Sequence, residues 1–295
     1  MQAEDTVALF GEVLADVFPD RSVLGGAPFN VARHLQTFGL RPVLISRTGS
    51  DALREVLLEE MSRRGMATKG IQCDADHPTG QVRVVLEEGG HRFDILPDQA
   101  YDHICPDAAD GVLATVQPRL AYFGTLVQRS LPSRRAAVRF LQQCECPLFL
   151  DINLRAPWYG PDVIDTALAA ADIVKLNEEE LAIVADMSGL ANLPQHTQAV
   201  ALQQRYALGQ VLVTCGAAGS WLLDEHGRIT RARPAAPDRP VVDTVGAGDA
   251  YAAVFMLGLL RGWDTQTTLD RASAYAVSVC QVRGAAPSVT PFRVA

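Results

Sequence analysis

The sequence lacks the features that mark several common classes of protein. Its formal net charge at pH 7 is −8, so it has no general basic surface with which to neutralise nucleic-acid phosphates. Its longest apolar stretch lies around residues 252–260 and is too short to cross a bilayer. The acidic residues 1–5 lead directly into an apolar run, without the basic and apolar regions of a signal peptide. We therefore expect a cytoplasmic protein that binds neither nucleic acid nor membrane.

Three familiar ligand-binding signatures are also missing. Only Cys144 and Cys146 of the six cysteines are close together, and no second pair has zinc-ligand spacing, so free thiols are expected. The chain contains no Gly-Lys pair, which excludes a Walker A phosphate loop. Tyr251 stands where a dinucleotide-binding turn needs a small residue, which disfavours a nicotinamide dehydrogenase.

What is present is the pattern of an α/β protein. Apolar residues make up 48% of the chain and charged residues 20%, enough for one large core. Short apolar runs without polar alternation suit strands covered on both faces. The predicted strands are 43–46, 120–123, 148–151, 173–176 and 211–214, and the predicted helices are 52–64, 133–143 and 250–261. Their alternation predicts a single domain over residues 1–295, a three-layer, doubly wound, mostly parallel sheet.

Two segments break this alternation. Residues 80–95 read as a hairpin that turns at Gly89-Gly90, with no room for a helix. We expect segments of about 12–24 and 80–96 to form a small inserted β lid, reduced in size because residues 18–24 are few for a strand. A further hairpin is predicted over residues 221–232.

A glycine turn precedes the predicted helix 250–261. Glycines at the start of a helix allow the backbone N–H groups of Gly246, Ala247 and Gly248 to face an anion, and the helix dipole adds attraction. Asp249 would repel a phosphate there, which makes sense if its carboxylate accepts a proton from an attacking hydroxyl. The alternative is an ordinary N-cap aspartate.

A second glycine turn, Gly25-Gly26, opens a helix near the start of the chain. Asn30 lies in the first turn of that helix, and its amide can both donate to and accept from sugar hydroxyls. Asp16, upstream, could accept hydrogen bonds from two hydroxyls. The alternatives are a capping asparagine and a solvated loop aspartate.

Four segments in this order resemble the ribokinase-like PfkB family of sugar kinases over nearly the whole chain. Residues 25–30 are similar to the first signature of the family, and residues 243–249 to the second. Residues 177–180 match its Asn-x-x-Glu motif, and residues 213–220 resemble its nucleotide strand and loop. The resemblance implies an ATP-dependent kinase that phosphorylates a hydroxyl of a small sugar.

The resemblance also implies roles for individual residues. Asp249 would be the catalytic base, and the N–H groups from Gly246 to Asp249 would form the anion hole. The sugar would be contacted by Asp16, Gly26 and Asn30.

On the nucleotide side, the resemblance implies that Asn177 and Glu180 organise Mg²⁺ and the phosphates through water. Asn177 and Glu180 also match a helix capping box, and we expect both roles together. The nucleotide would be lined by Thr214, Gly216 and Gly219. A monovalent cation such as K⁺ would be held by Asp243 and the loop 284–288.

The choice of sugar depends on two segments that look most like the fructokinase branch, residues 25–32 and 151–158. 2-Keto-3-deoxygluconate kinases usually carry an aspartate where this chain has Ala27. Arg155 could face a phosphate or a substrate carboxylate, or could form a structural ion pair with Asp151 or a neighbour. Other sugar or nucleoside kinases, a non-catalytic sugar-binding relative and a homodimer formed through the lid stay open.

Overall fold

A computed structural model describes residues 5–87, 90–233, 235–282 and 284–285, with two β-sheets among them. The strands in chain order are β1 (Thr6–Phe10), β2 (Leu14–Val17), β3 (Ser22–Gly25), β4 (Arg41–Gly49), β5 (Ile71–Asp74), β6 (Gly80–Glu87), β7 (Gly90–Ile95), β8 (Leu120–Gly124), β9 (Leu148–Asp151), β10 (Ile173–Asn177), β11 (Gln210–Thr214), β12 (Ser220–Leu223) and β13 (Ile229–Ala232). The main sheet has the order β13-β12-β11-β10-β9-β8-β1-β4-β5. All its neighbours from β5 to β11 are parallel, and β12 and β13 extend it as an antiparallel hairpin.

Helices cover both faces of the main sheet. They are α1 (Ala27–Thr37), α2 (Ala52–Arg63), α3 (Pro106–Leu113), α4 (Leu131–Gln143), α5 (Pro161–Ala170), α6 (Glu178–Met187), α7 (Gln195–Tyr206), α8 (Ala247–Arg261) and α9 (Thr265–Cys280). Alternate residues of β1 enter opposite cores: Val7 and Leu9 pack with α1, α2, α8 and α9, and Ala8 and Phe10 pack with α3 to α7. This confirms the three-layer, doubly wound, mostly parallel architecture.

The predicted inserted segments form the second sheet, in the order β3-β2-β6-β7. Its central pair β2–β6 is parallel, and the outer pairs are antiparallel. Leu14, Val82 and Ile95 on this sheet pack with Leu126, and Trp158 packs against them from the main domain. The hairpin turn predicted at Gly89-Gly90 lies partly outside the described residues, since Glu88 and Gly89 are not described. Closure of this small sheet as a lid, and a homodimer through it, stay predictions.

Element boundaries differ from the predicted ones most at two helix starts and at both ends of β4, which spans Arg41–Gly49 rather than residues 43–46. Helix α4 begins at Leu131 rather than residue 133, and α8 begins at Ala247 rather than residue 250. Both starts lie earlier because proline in the first turn of α4 and glycine before α8 are compatible with helix entry. No helix in the described part of the chain is both long and apolar enough to span a membrane.

Candidate active site

The polar residues singled out in the sequence gather where the parallel strands of the main sheet end. Asp151, Asn177 and Thr214 are the last residues of the neighbouring strands β9, β10 and β11. Helix α8 begins on the same side, because Gly248 lies next to Lys175 of β10. A crevice outside the carboxyl ends of parallel strands is the usual ligand site in open α/β sheets.

The turn that opens α8 has glycines for two different reasons. Gly246 is the N-cap, with φ 81°, and a Cβ there would overlap the backbone of Ala285. Gly248 has space instead: among the described residues outside its own helix and chain neighbours, an added Cβ would meet only the Nζ atom of Lys175, at 3.4 Å. The α8 turn is therefore closely packed against Ala285 at Gly246 and has space at Gly248.

Lys175 and Asp151 form a buried ion pair beneath this turn. The Nζ atom donates to the two Asp151 oxygens at 2.9 and 3.0 Å, and both residues are buried. Burial alone would lower the pKa of Lys175. The negative charges of Asp151 and Glu180 outweigh the effect of burial and raise the pKa, so the ammonium stays charged. The alternative pairing of Arg155 with Asp151 was wrong, since Asp151 is taken by Lys175.

Asp249 lies in the first turn of α8 and is held from across the site. Asn30 of α1 donates from Nδ2 to Asp249 Oδ2 at 2.8 Å, and its Oδ1 accepts from Arg33 at 2.6 Å. The capping alternatives for both residues were wrong, because the N-caps are Gly246 and Gly26. The two glycine-turn segments, 219 residues apart at this contact, meet in one site.

The pKa of Asp249 is raised to about 6. Burial is the largest cause, and the negative charge of Asp151 adds to it, while Asn30, Lys175 and Arg155 oppose it. A carboxylate with this pKa is a stronger base than an ordinary one and is still largely ionised at neutral pH.

Glu12, between β1 and β2, is a buried carboxylate in the same region that the sequence did not single out. It is 4% exposed, and its Oε2 atom has no hydrogen-bond partner among the described residues. Burial raises its pKa to about 7, against hydrogen bonds from its own amide and that of Ala27. Gly26 adjoins it, with φ 102° and no room for a Cβ, which would lie 2.7 Å from the Glu12 carbonyl oxygen.

Asp16 and Arg155 are the other two residues predicted to contact a sugar. Asp16 lies in β2 of the small sheet, not in a loop, and burial raises its pKa to about 6 against the opposing charge of Arg155. Arg155 follows β9 and is exposed, donating to the carbonyl of Leu154 at 3.2 Å. The structure thus puts opposite charges of β2 and of the 152–155 loop within electrostatic reach of each other.

Asn177 and Glu180 form the expected capping box at the start of α6. The Glu180 amide donates to Asn177 Oδ1, and the Asn177 amide donates to Glu180 Oε2, both at 2.8 Å. The second oxygen, Oε1, accepts from the Leu154 amide at 2.9 Å. Each carboxylate oxygen therefore has one backbone donor and keeps lone-pair capacity for one further partner.

The segment after β11 is a tight, exposed turn. Gly216 and Gly219 both have positive φ, at 52° and 98°. The Cys215 amide donates to the Gly219 carbonyl at 2.8 Å, which closes the turn next to Thr214. Left-handed glycines keep this surface free of side chains, so a flat ligand can approach the backbone.

Asp243 lies just before the α8 turn and accepts from the amides of Val245 at 3.0 Å and Gly284 at 3.4 Å. It therefore contacts the first residue of the predicted cation loop 284–288, of which only 284–285 are described. Ala285 is held in turn by His34, whose Nε2 lies 3.0 Å from its carbonyl oxygen. Burial lowers the pKa of His34 to about 4, so the imidazole is neutral.

Comparison with known proteins identifies the family. The pfkB family carbohydrate kinase profile matches residues 3–292. This chain belongs to the pfkB family of carbohydrate kinases. A fructokinase of Klebsiella pneumoniae is 29% identical over 269 residues, covering 85% of this chain and 83% of that one.

Solved structures agree with the assignment of this chain to the pfkB family. An uncharacterized sugar kinase of Pyrococcus horikoshii, solved in complex with ATP, is 25% identical with a TM-score of 0.77, covering 95% of this chain and 93% of that one. A fructokinase of Xylella fastidiosa with bound ATP has a TM-score of 0.85 at 19% identity, covering 96% and 94% of the two chains. The ribokinase-like fold predicted from the sequence is confirmed.

Lys175 is the residue of this pfkB-family kinase that sequence reasoning most clearly missed. It interrupts the otherwise apolar run Ile173-Val174-Lys175-Leu176, which was interpreted as a strand covered on both faces. A charged residue in such a strand is buried and needs an opposite charge. Lys175 is also one of only two lysines in the chain, and the other 24 of the 26 lysine and arginine residues are arginines.

Proposed function

We propose that this pfkB-family kinase transfers the γ-phosphoryl group of ATP to a hydroxyl of fructose, giving fructose 6-phosphate. The observation that carries the proposal is the juxtaposition of Asp249, oriented by Asn30, with an open helix turn above the ammonium of Lys175. A base and an anion site side by side are what phosphoryl transfer to an alcohol requires.

Asp249 acts as the base in this mechanism. Its carboxylate accepts the proton of the sugar hydroxyl as the oxygen attacks the γ-phosphorus. With a pKa of about 6 it is roughly nine-tenths ionised at pH 7, so the reactive form is abundant and more basic than an ordinary aspartate. Asn30 donates to one oxygen and leaves the other to face the hydroxyl.

The charge of the transferred phosphoryl group is stabilised by the α8 turn. The N–H groups from Gly246 through Ala247 and Gly248 to Asp249 lie at the positive end of a 15-residue helix. Lys175 adds a full positive charge below them, fixed in place by Asp151. Preorganised donors of this kind are usually the largest contribution to catalysis of charged transition states.

The sugar lies between the two sheets in this proposal, contacted by Asp16, Gly26, Asn30 and Arg155. Fructose is favoured as acceptor by the fructokinase-like segments 25–32 and 151–158 and by the fructokinase relative at 29% identity. 2-Keto-3-deoxygluconate is the second candidate. It is favoured by one observation: Asp151 is occupied by Lys175, which leaves the exposed Arg155 available to a substrate carboxylate.

The nucleotide side is assigned to the turn at Thr214, Gly216 and Gly219 and to the capping box of α6. The lone-pair capacity left on Glu180 fits water-mediated rather than direct contact with Mg²⁺, with Asn177 beside it. When bound, Mg²⁺ supplies charge neutralisation on the phosphates. Asp243, which also keeps lone pairs beside its two amide donors, is the proposed K⁺ ligand.

A coupled ADP-release assay with fructose, ribose, 2-keto-3-deoxygluconate and adenosine tests this function. We expect the highest kcat/KM with fructose and a much slower ADP release without any acceptor, because water should compete poorly in a closed site. A highest value with 2-keto-3-deoxygluconate would transfer the assignment to the second candidate. No acceptor-dependent ADP release with any of the four would contradict the proposal.

A further inference from the structure

Three metal-ligating side chains meet where the small sheet joins the main domain: His77, Asp98 and His103, here called the lid-root cluster. His77 lies on the connection that leads from β5 into β6, and Asp98 and His103 lie on the chain that leaves β7. One ligand atom from each lies within 4.8 Å of the other two. The cluster thus joins two of the chain segments that connect the small sheet to the rest of the protein, the one that enters β6 and the one that leaves β7.

The distances between the ligand atoms of the cluster are close to those found between the ligands of one bound ion. Asp98 Oδ1 lies 2.8 Å from His103 Nε2 and 3.7 Å from His77 Nε2. Two ligands held tetrahedrally at zinc–ligand distances lie about 3.3 Å apart, between these two values. The imidazole rings stack face to face, with centroids 3.7 Å apart, so both Nε2 atoms are presented to the same carboxylate oxygen. Binding of one ion by both Nε2 atoms requires the two ring planes to turn out of this stack, so that their lone pairs converge on the ion.

A buried carboxylate behind His77 sets the orientation of that ring. Asp74 is 1% exposed, and its Oδ2 lies 3.1 Å from His77 Nδ1. Asp74 is itself fixed by Arg47 at 2.8 Å and by the amides of Asp76 and His77 at 2.9 and 3.2 Å. An ionised carboxylate can only accept, so Nδ1 carries a proton, and the neutral form of this ring has its lone pair on Nε2, which faces Asp98. A carboxylate behind a histidine is the arrangement that orients metal-bound imidazoles.

We propose that the lid-root cluster binds one divalent transition-metal ion of the zinc class, through His77 Nε2, His103 Nε2 and Asp98 Oδ1. The two imidazoles select such an ion over Mg²⁺, which prefers oxygen ligands. The histidine side chains are 25% and 28% exposed, so solvent reaches the fourth position. The ion replaces the hydrogen bond between His103 and Asp98 and connects the entering and leaving chains of the small sheet.

Isothermal titration of the full-length, chelator-treated protein with ZnCl₂ at pH 7.5, without nucleotide or sugar, tests the proposal. We expect one site with a Kd in the micromolar range or tighter. His103→Gln keeps the bulk of the side chain but should weaken this site at least 10-fold. Asp74→Asn should weaken it about 10- to 100-fold, since it removes the negative charge that orients His77 while leaving all three ligands in place; it also removes the ion pair with Arg47.

Matched controls separate this site from other zinc ligands of the chain. His226→Ala, in an exposed turn, and Cys73→Ser, an exposed thiol, should leave the titration unchanged. Zinc should also slow amide hydrogen exchange in residues 80–84 and 94–95 of the wild type but not of His103→Gln. The proposal is overturned if the wild type binds no zinc, or if His103→Gln binds it with unchanged stoichiometry and affinity. It is also overturned if Cys73→Ser abolishes the site.

Discussion

The two glycine turns of the site look alike in sequence but differ in what lies at their helix N-termini. At α1, the chain supplies its own acceptor, because the Glu12 side chain accepts from the Ala27 amide and the Glu12 carbonyl packs against Gly26. At α8, a side chain on Gly248 would meet only the ammonium of Lys175 outside its own helix and chain neighbours, among the described residues. The first turn therefore has an acceptor from within the protein, and the second has space that we propose an external anion occupies.

The difference explains which turn can take part in phosphoryl transfer. A helix N-terminus attracts an anion only when its amides are unoccupied. The α1 turn, whose first amide is bound to Glu12, positions Asn30, and Asn30 in turn orients Asp249. In the proposed mechanism, the first turn supports the residues on the sugar side, and the second is the site of the chemistry.

The largest expected effect comes from Asp249→Asn at the open turn. This variant keeps the size of the side chain and can still accept from Asn30, but it loses basicity. We expect kcat to fall by about 10²- to 10⁴-fold, with ATP binding retained in a direct titration. For the wild type, kcat/KM should fall as the pH drops below about 6, because protonated Asp249 cannot accept the hydroxyl proton.

The exposed Asp270→Asn, in α9, is the matched control for this substitution and should keep normal kcat. If Asp249→Asn retains near-normal kcat, Asp249 is only part of the helix start, and the contrast between the two turns has no catalytic meaning.

Lys175→Met tests whether the charge beneath the open turn acts on the ligand or only on Asp151. The single variant leaves a buried, unpaired carboxylate, and we expect it to cost about 3–5 kcal/mol in the free energy of unfolding. The double variant Asp151→Leu with Lys175→Met should recover most of that stability, because apolar residues replace the whole pair.

Denaturant unfolding measures the stability, and the ADP-release assay measures what the charge does for catalysis. We expect the stable double variant to remain at least 10-fold slower than the wild type. Wild-type kcat in the double variant would show that Lys175 serves the fold alone.

The smallest effect is expected at the closed turn, from Glu12→Gln. The pKa of Glu12 rises from 4.5 to about 7 in the folded protein, so its contribution to stability is present below pH 4.5 and is lost as the pH rises through 7. At about 1.4 kcal/mol per unit, the loss at pH 8 is at most about 3 kcal/mol. Glu12→Gln, which stays neutral, should therefore be more stable than the wild type at pH 8 and differ little at pH 5.

Thermal or urea unfolding at both pH values measures this difference, with the exposed Glu225→Gln as control. Equal destabilisation by Glu12→Gln at pH 5 and pH 8 would mean that the turn needs the carboxylate itself rather than an uncharged acceptor.

Much of the fold was predictable from the sequence, because strands such as β8 and β11 contain short apolar runs and helices such as α2 and α8 are followed by glycines. The five strands predicted as apolar runs and the hairpins at 80–95 and 221–232 occur where they were expected, whereas β5 was not predicted. Side-chain partners were much less evident in the sequence. The pairing of Lys175 with Asp151 joins residues 24 apart on neighbouring strands, and periodicity does not reveal cross-strand neighbours before the strand order is known.

The same limit applies to Glu12. Its position after the first strand was visible, but its burial depends on Gly26 and on the packing of α1 over the end of β1. The three residues of the lid-root cluster and Asp74 behind them were equally hidden, because two connections of the small sheet must meet before they form a group.

The contact between Asn30 and Asp249 has a consequence for when the site can form during protein synthesis. The ribosome synthesises residue 30 long before residue 249, so this contact cannot form until the α8 segment has left the ribosome. A polypeptide released before that point would carry Asp16, Gly26 and Asn30 but neither Asp249 nor the α8 turn. It would also lack the residues of α8 and α9 that pack with α1, so the N-terminal part of the site and its supporting core are completed together, late in synthesis.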